Sequence, residues 1–237
     1  MMNEFLLILS LVVTYGGVIL AYRFFGRIGL FVFAVFATIV ANIEVSFLLD
    51  AFGITQTLGN VLFASTFLIT DALSEIMGKR EAQRAVGVTL FFSVLFLIFA
   101  QLWIYYIPLE SVTGESFHRV FAQTPRIIAV SLLVFAFVSY LDVWLYHWWW
   151  KWSAGICKEN WLWIRNNGST LISQLLNTIL FSIGAFYGVY EWAVIMQIIL
   201  SSYAIFVCLA LLDTPFLYML VYLAKQKNDY DLRKNFA

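Results

Sequence analysis

Residues 55–78 read TQTLGNVLFASTFLITDALSEIMG, long and apolar enough to cross a bilayer yet carrying Asn60, Asp71 and Glu75. A spanning helix needs about 20 mostly apolar residues. A charged side chain at bilayer depth costs roughly 2.5 kcal/mol even on insertion scales, so a helix with two carboxylates belongs among other helices and away from lipid. At 100° per residue Asn60, Asp71 and Glu75 fall within about 80° of one another and share one face. The same polarity leaves open a broken or partly re-entrant segment, shielded by its neighbours.

Outward from this segment the chain supplies six more apolar stretches of spanning length. In order the seven are approximately 4–22, 28–50, 56–76, 86–107, 126–147, 169–188 and 192–222. The composition agrees: of 237 residues 62% are hydrophobic and 12% charged, and the mean hydropathy is +0.87. Soluble chains carry about 25% charged residues, and a soluble core of this length cannot hide so much apolar surface. The bilayer is therefore the solvent. Unpaired backbone is intolerable in lipid, and no stretch alternates as strands do, so the expected fold class is an all-α integral membrane protein with a bundle of about seven transmembrane helices. The opening MMNEFLLILS has no basic n-region and no small-residue cleavage site, and reads as a retained first span.

The Lys and Arg residues test the count independently, because cytoplasmic connections collect positive charge. Alternate connections hold Arg23 and Arg27, then Lys79, Arg80 and Arg84, then Lys151, Lys158 and Arg165, then a tail with Lys225, Lys227, Arg233 and Lys234. The other side has only Arg119 and Arg126. Dropping one span would destroy this pattern, so the N-terminus is expected outside and the C-terminus in the cytoplasm. Seven of the nine Trp lie between Trp144 and Trp163, around WLYHWWWKW, as in an aromatic belt at the cytoplasmic headgroups. The formal net charge is zero, which gives no electrostatic footprint for nucleic acid. Cys157 and Cys208 have neither CxxC nor Cys/His spacing and read as incidental thiols.

Other spans also carry polar groups. Thr170, Gln174, Asn177 and Thr178 form a stripe on the sixth; Ser131, Ser139 and Asp142 form one on the fifth; Gln197 and Ser201 lie one turn apart on the seventh. Such stripes face a cavity or a polar partner. The plainer reading is that Ser131, Ser139, Thr178 and Ser201 bond their own backbone or hold helices together. Lys79 and Arg80 are near enough in sequence to pair with Asp71 and Glu75 at the surface, Asp142 is near enough to the interface to be solvated, and Asp213 precedes Thr214-Pro215, where it could position a kink. Asn42 and Glu44 lie inside the second span about 200° apart, so a straight helix aims only one of them at a given site. Asn167, Ser169 and Thr170 stand where the sixth helix is expected to begin, as caps or around free N–H groups open to a ligand.

Several chemistries lack their motifs. Gly78-Lys79 has no glycine five residues earlier and is followed by Arg80, so it is not a phosphate-binding loop. His118 and His147 are the only histidines and sit in loops on opposite faces, which excludes a His-rich metal site, and no Gly-x-Ser-x-Gly elbow occurs. Asp71 and Asp142 satisfy the minimum for an intramembrane aspartyl enzyme, with nothing around them to strengthen that reading.

The ordered segments ANIEVSFLLDAFGITQTLGNVLFASTFLITDALSEIMGKREAQRAV, TPRI, SYLDVWLYHWWWK, WIRNNGSTLISQLLNTILFSIGAFYG and ALLDTPFLY resemble the queuosine precursor transporter family, also called vitamin-uptake-transporter-like. The resemblance covers approximately residues 40–220. It implies uptake of 7-deazaguanine bases across the bacterial cytoplasmic membrane for queuosine in transfer RNA: the cyano and aminomethyl precursors, or queuine. It also implies a six-helix core similar to the substrate-binding subunits of energy-coupling-factor transporters, with no cofactor and no obligatory ATPase partner. The chain then divides into an added N-terminal helix (1–27), the core (28–224) and a polar cytoplasmic tail (225–237).

Carried over by motif, the substrate-binding candidates are Asn42, Glu44, Asn60, Asp71, Glu75, Asp142, Asn167, Gln174 and Asn177. Phe67 and Phe181 are candidates for stacking, and Asp71 or Glu75 for carrying a coupled proton. Family members often have an amide at the position of Glu44 and a carboxylate at that of Asn177. If both positions touch ligand, Glu44→Gln abolishes uptake. The competing reading is a binding subunit for another purine or vitamin, served by a separate ATPase module. Small-xxx-small pairs are too sparse to decide whether copies associate.

Overall fold

The computed structural model describes residues 2–122, 125–154, 161–227 and 229. Its elements are α1 (Met2–Glu44), β1 (Leu48–Ala51), β2 (Ile54–Thr57), α2 (Asn60–Met77), α3 (Lys79–Trp103), α4 (Ser111–Phe121), α5 (Pro125–Ala154), α6 (Leu162–Phe186) and α7 (Trp192–Gln226). Cys157, Lys158, Arg233 and Lys234 of the sequence reading lie outside the described residues.

A straight helix of 43 residues would be about 65 Å long, twice the hydrocarbon thickness. α1 avoids this by turning back on itself at Gly26, whose φ of 59° and ψ of −137° suit a residue without Cβ. A Cβ on Gly29 would stand 2.1 Å from the Ala21 carbonyl oxygen, and one on Gly17 2.9 Å from the Phe33 ring. Residues eight apart in a straight helix are separated by about 12 Å, so the arms before and after Gly26 run antiparallel in close contact. With both arms counted, the bundle has the expected seven spans.

α2 stands in the middle. It packs against every other long helix, and these form a ring in the order α1, α3, α5, α6, α7 and back to α1. Accordingly 83% of α2 is buried, against 28–44% of the others. Ala64, Ser65, Ala72 and Ser74 keep its surface small enough for this approach. Around it pack Tyr15 and Tyr22 of α1, Val86 of α3, Val143 of α5 and Leu217 and Leu220 of α7. α2 is one unbroken helix, so the alternative of a broken or re-entrant segment is corrected: shielding by a full ring removes the need for it.

Two other expectations are corrected, and one further element, α4, lies in a connection for which none was made. The second span ends at Glu44, and the chain then pairs β1 with β2 in a hairpin whose loop residues, Phe52 and Gly53, have φ of 54° and 73°. That is the backbone of a type I′ turn, but Phe-Gly lacks the usual Asn-Gly signal and FLLDAF continues the apolar run. The loop after α3 contains α4, a short helix packed on α3 through Phe117 and Phe121 against Trp103. α6 begins at Leu162, so Asn167, Ser169 and Thr170 are interior residues and neither cap the helix nor surround free N–H groups.

Contacts between termini identify the two ends of the bundle. At one, Arg27 bonds Glu81 at 3.0 Å and Lys227 reaches the carbonyl oxygens of Tyr22 and Arg23 at 3.2 and 2.6 Å. This is the basic end. At the other, Asn3 Nδ2 donates to the Asp50 carbonyl of the β-hairpin at 2.9 Å.

Candidate functional site

The polar face of α2 meets α5, α6 and α7 in the half of the bundle nearer the basic end. Asp71, Asp142 and Asp213, from α2, α5 and α7, are 0%, 0% and 1% exposed. Thr170 donates its hydroxyl to Asp71 Oδ2 at 3.2 Å. Asp142 adjoins Asp71 and the hydroxyls of Ser169 and Ser173, although neither of its oxygens has a partner in hydrogen-bonding geometry. Asn166 Nδ2 donates to Asp213 Oδ1 at 2.9 Å and Asn167 Nδ2 to Thr214 Oγ1 at 2.8 Å, tying α6 to α7.

One turn closer to the basic end, Glu75 accepts hydrogen bonds from Tyr146 Oη at 2.5 Å and Arg165 Nη2 at 2.9 Å. The guanidinium lies 4.5 Å from the centre of the Trp150 ring, which stacks parallel to His147. A buried ion pair holds only when further contacts offset its desolvation; the Tyr146 hydroxyl and the Trp150 face supply them.

Toward the hairpin end the lining turns aromatic. Phe67 packs with Val134 and Val138, with Phe63 and Phe181 against the same cluster, and Phe63 touches Phe135 and Phe206. On α6, Gln174 and Asn177 stand at heights between Thr170, bonded to Asp71, and Phe181. Asn177 Nδ2 donates to Gln174 Oε1 at 3.3 Å. On the other side of α2, toward α1 and α3, a small cavity of about 10 Å³ is lined by Ala34, Thr66, Thr70, Val86, Thr89 and Ser139 among others.

Unpartnered polar atoms concentrate here: Asp71 Oδ1, both Asp142 oxygens, Asn167 Oδ1, Ser173 Oγ and Gln174 Nε2. A buried polar group left without a partner costs about 1–3 kcal/mol. These acceptors and donors come together from three helices, α2, α5 and α6. Among the described residues no three His, Cys, Asp or Glu side chains are arranged to hold a metal ion.

Residues 57–220 match the family described as "Putative vitamin uptake transporter". A protein of Bacillus subtilis (strain 168) named "Probable queuosine precursor transporter" is 37% identical over 207 residues, spanning 85% of this chain and 87% of that protein. The chain belongs to the vitamin uptake transporter family. No solved structure matches it.

In this vitamin uptake transporter family member the matched segment contains Asp71, Asp142 and Asp213, and it begins after Asn42 and Glu44. The structure brings Asp71, Glu75, Asp142, Asn167, Gln174 and Asn177 to one buried region, with Phe67 and Phe181 against one cluster beyond it. It leaves three candidates at the hairpin end. Asn42 donates to the Thr38 carbonyl of its own helix at 2.8 Å, Glu44 is the last residue of α1, and Asn60, the first of α2, accepts from Thr57 at 3.1 Å. Glu44 and Asn177 sit on helices that are not neighbours in the ring.

The plain reading holds for Ser131, Thr178 and Ser201, whose hydroxyls bond carbonyls three residues back. It fails for the acids. Glu75 takes Arg165 and Tyr146 as partners, and Asp142 is dry. Arg165 is not a loop cation: it lies inside the bundle at 7% exposure. Tyr146, Arg165, Asn166, Ser173 and Asp213 were not among the site candidates. Starting α6 at Leu162 would have revealed most of them, because Arg165, Ser169 and Ser173 then repeat every four residues beside Asn166, Thr170 and Gln174.

Proposed function

We propose that this transporter takes up a 7-deazaguanine precursor of queuosine into the bacterial cytoplasm. The observation that carries the reading is the set of unpartnered groups around Asp71: carboxylate oxygens of Asp71 and Asp142 as acceptors, and Gln174 Nε2 as a donor. A 7-deazaguanine offers N1–H and an exocyclic amine as donors and O6 as an acceptor, the complementary set. In this reading Asp71 and Asp142 take the two donors, Gln174 the O6 atom, and Phe67 or Phe181 the ring face, with Asn177 and Asn167 supporting. The name of the Bacillus relative points to the same substrate class.

The basic end faces the cytoplasm in this proposal, with the N-terminus outside, and the first arm of α1 adds to a six-helix core of 28–224. Transport proceeds by helices parting alternately toward each side of the buried cluster. Asp71 carries a coupled proton. Replacing it by Asn then removes the pH dependence of whatever uptake remains, and residual uptake with unchanged pH dependence rejects that role.

The test of the substrate is queuosine in the transfer RNA of a bacterium lacking both de novo synthesis and its own transporter, with this chain expressed and each base supplied at nanomolar level. The host must keep the enzymes that incorporate each base. Queuosine with one base, lost in Asp71→Asn that still reaches the membrane, supports the proposal. No queuosine with any base, from protein present in the membrane, rejects autonomous uptake of these compounds. Binding of the same bases to purified protein then distinguishes a wrong substrate from a missing ATPase partner.

A further inference from the structure

We propose that Glu75, Arg165 and Tyr146 form the gate that closes the transport path at the basic end. The inference rests on the transport reading and adds to it a pair of residues, Arg165 and Tyr146, whose side chains both bond Glu75. The contact lies one turn beyond Asp71 on the side of the basic end, so a molecule leaving Asp71 in that direction meets it next. Tyr146 of α5 and Arg165 of α6 grip the same carboxylate of the central helix. α5 and α6 are consecutive helices packed closely along their lengths, and the grip fastens them as a unit to α2.

The chemistry suits a contact that must open. Its two charged side chains are 8% and 2% exposed, whereas Arg27–Glu81 and Arg119–Glu115 each have a side chain more than half exposed. In a dry interior the Coulomb attraction is strong; once water enters, each charge is solvated separately and the attraction collapses. A polar latch is therefore tight when closed and loses little by parting. The aromatic cluster at the hairpin end lacks this property, because parting it exposes only apolar surface. The Trp150 ring beneath the guanidinium, backed by His147, keeps Arg165 aimed at Glu75 when the latch recloses.

The test reads access to the path and needs no substrate. In full-length protein with Cys157→Ser and Cys208→Ser, a Ser173→Cys reporter is exposed to a membrane-impermeant thiosulfonate cation in right-side-out and inside-out vesicles. With the latch intact, modification is slow from both sides. Glu75→Gln is expected to raise the rate at least tenfold from the basic-end side only, and the exchange Glu75→Arg with Arg165→Glu to return it toward the parent rate. An unchanged rate in folded Glu75→Gln, or an equal rise from both sides, overturns the gate. If Glu75→Gln does not fold, Tyr146→Phe, which removes one bond and keeps the ion pair, carries the test with an expected rise of about threefold from the same side. One-sided access without uptake of any 7-deazaguanine rejects the substrate and leaves the gate standing; uptake with an unchanged rate does the reverse.

Discussion

The two halves of α2 are equally buried and chemically opposite. From Val61 to Thr70 its polar atoms stay at home: Ser65, Thr66 and Thr70 donate to carbonyls three residues back, at 2.7, 2.6 and 2.9 Å, and the contacts with other helices are made by Phe63, Phe67 and Leu68. From Asp71 to Ile76 the two carboxylates reach across, Asp71 to Thr170 and Glu75 to Tyr146 and Arg165. Burial alone therefore does not mark a functional surface in a membrane bundle. What distinguishes the second half is its carboxylates, which have no proton to give a carbonyl of their own helix and take their donors from other helices. The first half is held by many small van der Waals contacts, the second by a few directional ones.

The contrast predicts where single substitutions hurt most. Arg165→Leu strands the Glu75 carboxylate in a dry interior, and breaking a buried pair in this way costs about 3–5 kcal/mol. Unfolding in detergent should show that loss, and Arg165→Leu combined with Glu75→Leu should recover most of it. A single substitution no worse than those in the aromatic half would break the comparison. Asp71→Asn comes next. It removes one charge-assisted bond to the proposed base, worth about 1.5–3 kcal/mol, so uptake should fall about 10- to 100-fold while the unfolding midpoint stays near that of the parent. Loss of folded protein in parallel with uptake would make Asp71 a structural residue instead.

The span count and the shielding of the third span were legible because both follow from the cost of charge in lipid, a one-dimensional property of the chain. The pattern of Arg23, Arg27, Lys79 and Lys151 against Arg126 needs no contacts to be read. The hairpin at Leu48–Thr57 was not legible: its strands are four residues long and its turn places Phe52 in a left-handed conformation that nothing in the residue type announces. The site was half legible. Asp71 and Gln174 stand out as intramembrane polar groups, but Arg165 adds to a cytoplasmic charge count as naturally as it pairs with Glu75. Only the start of α6, about two turns of helix running into NNGST, separates those assignments. A run of Asn, Gly, Ser and Thr signals a loop in water, and it becomes helix here because α7 supplies Asp213 and Thr214 to its amides.

In the aromatic half a substitution should be felt weakly and only in stability. Phe63 touches Phe67, Phe135 and Phe206 edge-on or tilted, and Phe63→Leu keeps most of the volume, so a loss of about 1 kcal/mol is expected, with uptake within twofold of the parent. A tenfold fall in uptake at unchanged stability would mean that Phe63 contacts the substrate directly, in addition to the proposed stacking on Phe67 or Phe181.

Glu44→Gln should have the smallest effect, and it tests the boundary between the halves. The sequence resemblance suggests that negative charge has moved from the position of Asn177 to that of Glu44, in which case neutralising Glu44 abolishes uptake. The structure sets Glu44 at the last residue of α1, across the bundle from α6, and no hydrogen bond joins it to Gln174 or Asn177 among the described residues. From there its charge acts on the base only through a long path near the membrane surface, where solvent screens it. Uptake is accordingly expected to change by less than about threefold, a free-energy difference of roughly 0.7 kcal/mol. A complete loss in protein that still folds would show that the hairpin end also holds the base during transport, so that a second polar station exists on the far side of the aromatic cluster.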